Sequence, residues 1–201
     1  MNNTAHYERN LPHRLPPGES IFITFRLAGT LPRTVVESLR AQLQRVEQVE
    51  KRSDAEESSV RRKRYFKHFD QMLDQAPTGP LWLQRPDIAE TVRTAIHHFD
   101  SRSYDLICYC LMPNHVHLLV HVPEQAPPLI QTLRELKGRT ARQANLLLGR
   151  EGAFWQPESY DHVVRNGEEM QRIIAYVLEN PVKAGLVADW QKWPYSYWRD
   201  L

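Results

Sequence analysis

Apolar positions along this chain recur with two different periods, and the alternation between them lays out the elements. Ile21-Phe22-Ile23-Thr24-Phe25-Arg26-Leu27 is dense in β-branched and aromatic residues and closes at Gly29, which predicts a first strand near the centre of a sheet. Val36, Leu39, Leu43 and Val46 follow at helical spacing, fade through residues 53–59, and give way to Phe66, Phe69 and Leu73 before Pro77 and Gly79-Pro80 end the run. Residues 33–76 are therefore expected to form a helical hairpin inserted into the fold. A helix over Asp87–Phe99 presents Ile88, Val92, Ala95 and Phe99 on one side, and Tyr104–Leu111 reads as a strand. Leu129–Leu148 is again helical, residues 154–164 read as a strand ending at the turn dipeptide Asn166-Gly167, and Glu168–Asn180 is a last helix that Pro181 is expected to stop. Strand, helices, β-hairpin, helix, strand and helix describe an α+β sandwich on an antiparallel sheet, within a single domain spanning residues 1–201.

The alternation is most informative around Met112-Pro113-Asn114, where two β-rich runs flank turn residues. On the second run Val116, Leu118, Val120 and Val122 make one apolar face, while His115, His117 and His121 point the other way with Leu119. His115 and His117 lie roughly 7 Å apart along a strand, close enough to lean onto one ion. His121 is about 13 Å beyond His117, too far to join them. Alone, a His-x-His pair is more often a solvated strand face than a metal site, so a third ligand decides the matter.

The last helix offers one. Met170, Ile173, Ile174, Val177 and Leu178 form its core-facing stripe, and Tyr176 and Asn180 lie well off that stripe. They are four residues apart, about 6 Å along the axis, and face one region. An Asn180 amide oxygen beside His115 and His117 completes a metal site, with Tyr176 one turn away as a nucleophile. Those are the parts phosphodiester transesterification needs. Tyr160, the rival tyrosine, sits on a strand behind Trp155 and reads as a packing residue.

Composition narrows the setting. The 201 residues, 41% of them hydrophobic, suffice for one sizeable core, and the net charge is only +2. Local basic surfaces stand out instead: Arg61-Arg62-Lys63-Arg64 with Lys67, and a stretch from Gln131 to Arg150 in which Glu135 is the lone acid. Arg134, Lys137, Arg139 and Arg142 there, with Arg165 and Lys183, are the candidate contacts to a polyanion such as DNA. Residues 1–18, with Pro12, Pro16 and Pro17, suggest an extended basic arm. The two cysteines, Cys108 and Cys110, alternate on one strand without Cys-x-x-Cys spacing, which suits core packing in a reducing compartment rather than zinc. No leader and no membrane-length apolar run is read in the sequence, so a cytoplasmic protein is expected.

Pro113-Asn114-His115-Val116-His117 on a strand, followed by Tyr176-Val-Leu-Glu-Asn180-Pro181-Val-Lys-Ala-Gly, resembles the single-tyrosine HUH transposases and, within them, the REP-associated tyrosine transposases. The opening Arg-Asn-Leu-Pro-His, Trp155-Gln156 and the closing Trp193-Pro-Tyr-Ser-Tyr-Trp198 extend the resemblance over nearly the whole chain. It implies a ferredoxin-like sandwich with the histidines on a central strand and helices on one face. It further implies His115, His117 and Asn180 as metal ligands, where other members use glutamine for the third, and Tyr176 as the nucleophile. Magnesium or manganese, single-stranded or hairpin DNA, and a transient 5′-phosphotyrosine link are implied with them. A monomer and a homodimer both accord with it. The helical insertion exceeds what a minimal member needs. A regulatory hairpin-DNA binder on the same fold, without catalysis, is the alternative, and an intact His115, His117, Tyr176 and Asn180 set speaks against it.

Overall fold

The computed structural model describes residues 15–50, 55–74 and 79–199. Five strands, β1 (Ser20–Leu27), β2 (Asp105–Leu111), β3 (His115–His121), β4 (Trp155–Val163) and β5 (Ser196–Trp198), form one sheet in the order β4-β1-β3-β2-β5. Every neighbouring pair is antiparallel. The helices are α1 (Arg33–Glu50), α2 (Ala55–Asp74), α3 (Pro86–Phe99), α4 (Leu129–Leu148) and α5 (Gly167–Lys183). Taking α1 and α2 aside, β1-α3-β2-β3-α4-β4 with strand order 4-1-3-2 is the ferredoxin-like arrangement, and β5 extends it on the free edge of β2. That last strand, three residues from the tryptophan-rich C-terminal segment, is too short for its period to be visible in the sequence. The first strand is interior as expected, and Pro157 is tolerated in β4 because β4 is an edge.

Strand alternation separates the two faces. Ile21, Ile23, Phe25 and Leu27 of β1 join Val116, Leu118 and Val120 of β3 in a core roofed by α3 and α4, through Ile88, Val92, Ile96, Leu133 and Leu136. The opposite face carries Phe22, Cys108, Cys110, Met112 and Leu119, and α5 packs on it with Ile174, Val177 and Leu178, so helices cover both faces of the sheet and not the one expected, because the α5 stripe needs an apolar surface of its own. The histidines of β3 belong to this second face, in register with Thr24 of β1 and Cys110 of β2. Both cysteines are free and buried there.

Two local devices aim α5. Asn166, read as a turn residue, is its N-cap: its Oδ1 accepts from the Glu169 N–H at 2.9 Å, and Glu169 Oε2 accepts from the Arg165 N–H at 3.0 Å. At the other end the helix does not stop before Pro181 but runs through it to Lys183. The missing proline N–H removes only one hydrogen bond from the final turn, and the Ala184 and Leu186 N–H groups still reach the carbonyls of Asn180 and Pro181. Pro181 is buried, which holds Asn180 in the helix against the usual preference of a residue before proline.

The inserted helices α1 and α2 lie against each other over Leu31, Leu39 and Leu73, with Val35, Val36, Phe69 and Met72 around them. The neck of the insertion is tight: a Cβ on Gly79 would sit 2.7 Å from the Thr30 backbone, so only glycine fits there. Residues 1–14 of the expected arm, residues 51–54 and 75–78, and the side chains of Arg61, Arg62, Lys63 and Lys67 lie outside the described residues. Among the described residues no helix is long and apolar enough to cross a membrane.

Candidate active site

His115 and His117 are both fully buried on the α5 face, and their Nε2 atoms approach to 3.0 Å. Each ring is oriented from behind. His115 Nδ1–H donates to Asn114 Oδ1 at 2.6 Å, and Asn114 in turn donates from Nδ2 to the Leu73 carbonyl of α2 at 2.9 Å. His117 Nδ1 meets Thr24 Oγ1 at 2.8 Å, across the β1–β3 pair that the register places opposite it. Such outer contacts fix the tautomer and turn the other nitrogen, with its lone pair, toward a shared point. Burial first, and then the neighbouring His117, push His115 down to about 3 against the pull of Asp70, so His115 is neutral.

The third group at that point is one the sequence reading did not anticipate. Asp70 of α2 lies with Oδ1 3.3 Å from His117 Nε2 and 3.7 Å from His115 Nε2. Asp70, His115 and His117 form the set of acidic, histidine and cysteine side chains among the described residues whose ligand atoms converge tightly enough to hold one metal ion. Burial alone would push the Asp70 carboxyl up; the imidazole of His117 against it, then His115 and the Asn180 amide, more than reverse this and hold it below the usual carboxylate range. Asp74, one turn on, goes the other way, raised to about 6 by burial and by the charge of Asp70.

Asn180 arrives where its helix position predicts, but more deeply, with no exposed surface. Its Nδ2 stands 3.1 Å from His117 Nε2, while its Oδ1 and Asp70 Oδ1 are both buried without a hydrogen-bond partner. A buried carboxylate oxygen left in this way beside two imidazole nitrogens is what a cation satisfies. A half-turn of the amide exchanges Nδ2 for Oδ1 at the cluster.

Tyr176 is half-buried, and its hydroxyl donates to Asp70 Oδ2. One carboxylate therefore touches the imidazole pair with one oxygen and the phenol with the other. The Lys183 Nζ stands 4.7 Å from the centre of the Tyr176 ring, a cation beside the hydroxyl-bearing group. Beside Tyr176 opens a cavity of about 800 Å³, walled by Phe22, Phe66, Tyr160, Tyr176, Arg172 and Lys183 among others.

Other expected site residues are not brought together here. Arg134, Arg139 and Arg142 are exposed on α4, which roofs the face of the sheet turned away from the histidines. Lys137 is spent internally, donating to the carbonyls of Gln156 and Pro157 and to Ser159 Oγ, which ties α4 to β4. Of the expected polyanion contacts, Lys183 lines the cavity, and Arg165 is exposed at the entry to α5. Tyr160 packs, stacked on Phe66 with centroids 4.3 Å apart. His121 is apart from the cluster, near Ser20 Oγ at 3.4 Å.

Strand order and the helix-borne tyrosine facing a paired-imidazole cluster define a ferredoxin-like protein of the class that joins an HxH strand to a C-terminal tyrosine helix. The sequence model of the family described as "Transposase IS200 like" matches residues 81–180, and the chain belongs to that family. It is 28% identical over 101 residues to the REP-associated tyrosine transposase of Escherichia coli (strain K12), and 30% identical over 108 residues to a Haemophilus influenzae protein carrying that name provisionally. These matches cover 50% and 49% of this chain and 58% and 61% of those proteins, so the chain spans about three-fifths of the curated relatives it matches. A solved REP-associated tyrosine transposase bound to a REP hairpin shares the fold, with a TM-score of 0.56 and 18% identity, over 94% of this chain and 82% of that one.

Proposed function

We propose that this chain is a metal-dependent transposase that nicks and rejoins single-stranded DNA next to REP-type hairpins, with Tyr176 as the nucleophile. One observation carries the reading: Asp70 bridges the Tyr176 hydroxyl and the His115–His117 pair, so nucleophile and metal donors share a carboxylate. The names of the relatives, and the hairpin held by the protein of like fold, give the substrate class.

His115, His117, Asp70 and the Asn180 amide would hold the ion. Two neutral nitrogens with carboxylate and amide oxygens suit Mg²⁺ or Mn²⁺. When bound, the ion supplies positive charge that polarises the scissile phosphate. The protein does the rest. Asp70 Oδ2 holds the phenol proton, and Lys183 beside the ring favours the phenolate. The Tyr176 oxygen bonds to phosphorus as the bond to the 3′ oxygen breaks, the phenol proton passes to Asp70, and the departing 3′ oxygen takes its proton from solvent water. The phosphotyrosine conserves the diester, so a 3′ hydroxyl can reverse the step without a nucleotide cofactor. Lys183 and Arg165, on the face of the cluster, are the phosphate contacts in this reading, and α4 lies away from the strand's path. The insertion is a working part of the same domain, because α2 supplies Asp70.

The test is a denaturing gel of labelled hairpin DNA with a single-stranded flank, incubated with Mn²⁺ and the wild-type, Tyr176→Phe or His115→Ala protein. A covalent protein–DNA band lost in both variants is expected. Cleavage that survives Tyr176→Phe would replace the tyrosine with metal-activated water. Binding without cleavage across several hairpins would make the protein a regulatory binder.

A further inference from the structure

The cavity beside Tyr176 is larger than the attack on a phosphate requires, and four aromatic rings, Phe22, Phe66, Tyr160 and Tyr176, line it beside its charged groups. Phe66 and Tyr160 are stacked at 4.3 Å and 28°, and Phe22 stands edge-on beneath Phe66 at 5.3 Å and 89°. The Tyr176 ring meets Phe22 and Phe66 at 6.1 and 5.7 Å, so the nucleophile itself belongs to the cluster of touching rings that lines one side of this box. We infer that this box is a subsite for one unpaired nucleobase, that of a nucleotide flanking the phosphate attacked by Tyr176.

The inference rests on the phosphotyrosine reading for where the strand lies, and on the walls for what they bind. A phosphate at the Tyr176 hydroxyl has two nucleosides as covalent neighbours, and the box opens directly from that ring. Its roughly 800 Å³ falls in the range of sites that enclose a small ligand. Aromatic faces recognise bases by stacking with little regard to sequence. Asp70 joins the cavity to the histidine cluster, where the phosphate belongs, and on the α5 side Arg172 and Lys183 line it beside Glu169. A base inside a duplex has both faces covered and cannot enter, so the subsite selects single-stranded DNA at the cleavage point. Phe66 comes from the insertion, which gives α2 a second role beside that of Asp70.

The experiment is a double-mutant cycle between protein and DNA. Binding of a fluorescent hairpin with a single-stranded flank is measured by anisotropy in Mn²⁺ with Tyr176→Phe protein, so that the strand is not consumed. The DNA carries either a base or an abasic residue at the position on one side, then the other, of the scissile phosphate. The protein carries in addition Phe66→Leu or Tyr160→Leu, which keep apolar bulk and remove the ring. Loss of the base at one position is expected to weaken binding roughly 5- to 150-fold. Either leucine variant should weaken binding of the intact strand by a similar factor and leave the abasic strand no worse. Abasic strands that bind as well as intact ones at both positions, or effects of base and ring removal that simply multiply, would overturn the subsite. The gel assay of the wild-type protein, run on the same strands, reports separately on Tyr176: a covalent band with no coupling in the cycle refutes the subsite alone, and coupling without a covalent band refutes the nucleophile alone.

Discussion

Replacing Asn114 by alanine tests the chain of contacts that presents His115. The Asn114 side chain is buried, and it makes two hydrogen bonds at once: Oδ1 accepts from His115 Nδ1–H and Nδ2 donates to the Leu73 carbonyl of α2. Asn114→Ala strands both partners. At about 1–3 kcal/mol for each buried group left unsatisfied, the cost is roughly 2–6 kcal/mol of stability, read by urea unfolding followed by tryptophan fluorescence. The ring of His115 is then no longer held in one orientation, and loss of such an outer contact lowers metal affinity roughly 10- to 100-fold. Calorimetric titration with Mn²⁺ of the folded variant measures this part. Asn114→Asp separates the two effects, because a carboxylate still accepts from His115 but offers nothing to Leu73; it should lose stability and keep the ion. A folded Asn114→Ala protein that binds Mn²⁺ within twofold of wild type would refute the role assigned to this residue.

Asp70→Asn should lower Mn²⁺ affinity by more than the roughly 10-fold that outer contacts cost, checked by the same titration, while Asp74→Asn should not. Lys137→Gln should loosen β4 and cost about 1–3 kcal/mol in thermal unfolding, with the salt dependence of DNA binding unchanged; Lys183→Gln should instead reduce the slope of log affinity against log salt by about 1. Ile96→Ala, in the core under α3, should cost about 2–5 kcal/mol, or roughly 2–4 °C in Tm for each kcal/mol. Burial pushes the Cys110 thiol up to about 12, against a small opposing hydrogen bond from Ser196, and raises Cys108 likewise. A thiol whose folded value is raised favours the folded state fully below its unfolded value of about 8.5, and that contribution is lost as pH rises beyond it. Stability should therefore fall above pH 8.5, and native-state labelling by a thiol reagent at pH 9 should track unfolding; rapid labelling of the folded protein would contradict the burial.

The elements were legible in the sequence wherever a period is local to the backbone. α4 runs over the residues its stripe marked, α3 begins one residue early at Pro86, and the valines and histidines of β3 divide between the faces as strand alternation requires. Tyr176 was legible for the same reason, since an off-stripe residue on an amphipathic helix must face something other than the core it caps. Pro181 misled because its penalty depends on how many hydrogen bonds remain beyond it, and in a last turn it removes one. The basic residues of α4 showed their charge but not their side of the sheet, and Lys137 showed a charge without the three oxygens it serves.

Asp70 and Asn114 belong to a different category. Asp70 drew no notice as one acid within an inserted helix, and Asn114 read as a turn residue, because locally each is no more than that. Their roles come from contacts 106 and 41 residues away along the chain, at Tyr176 and Leu73. Docking α2 on the histidine face strips water from both side chains, and a dehydrated carboxylate or amide must find its partners among whatever the packing brings near. Periodicity says which way a residue faces; only the packing of distant elements says what it faces and whether water is still there.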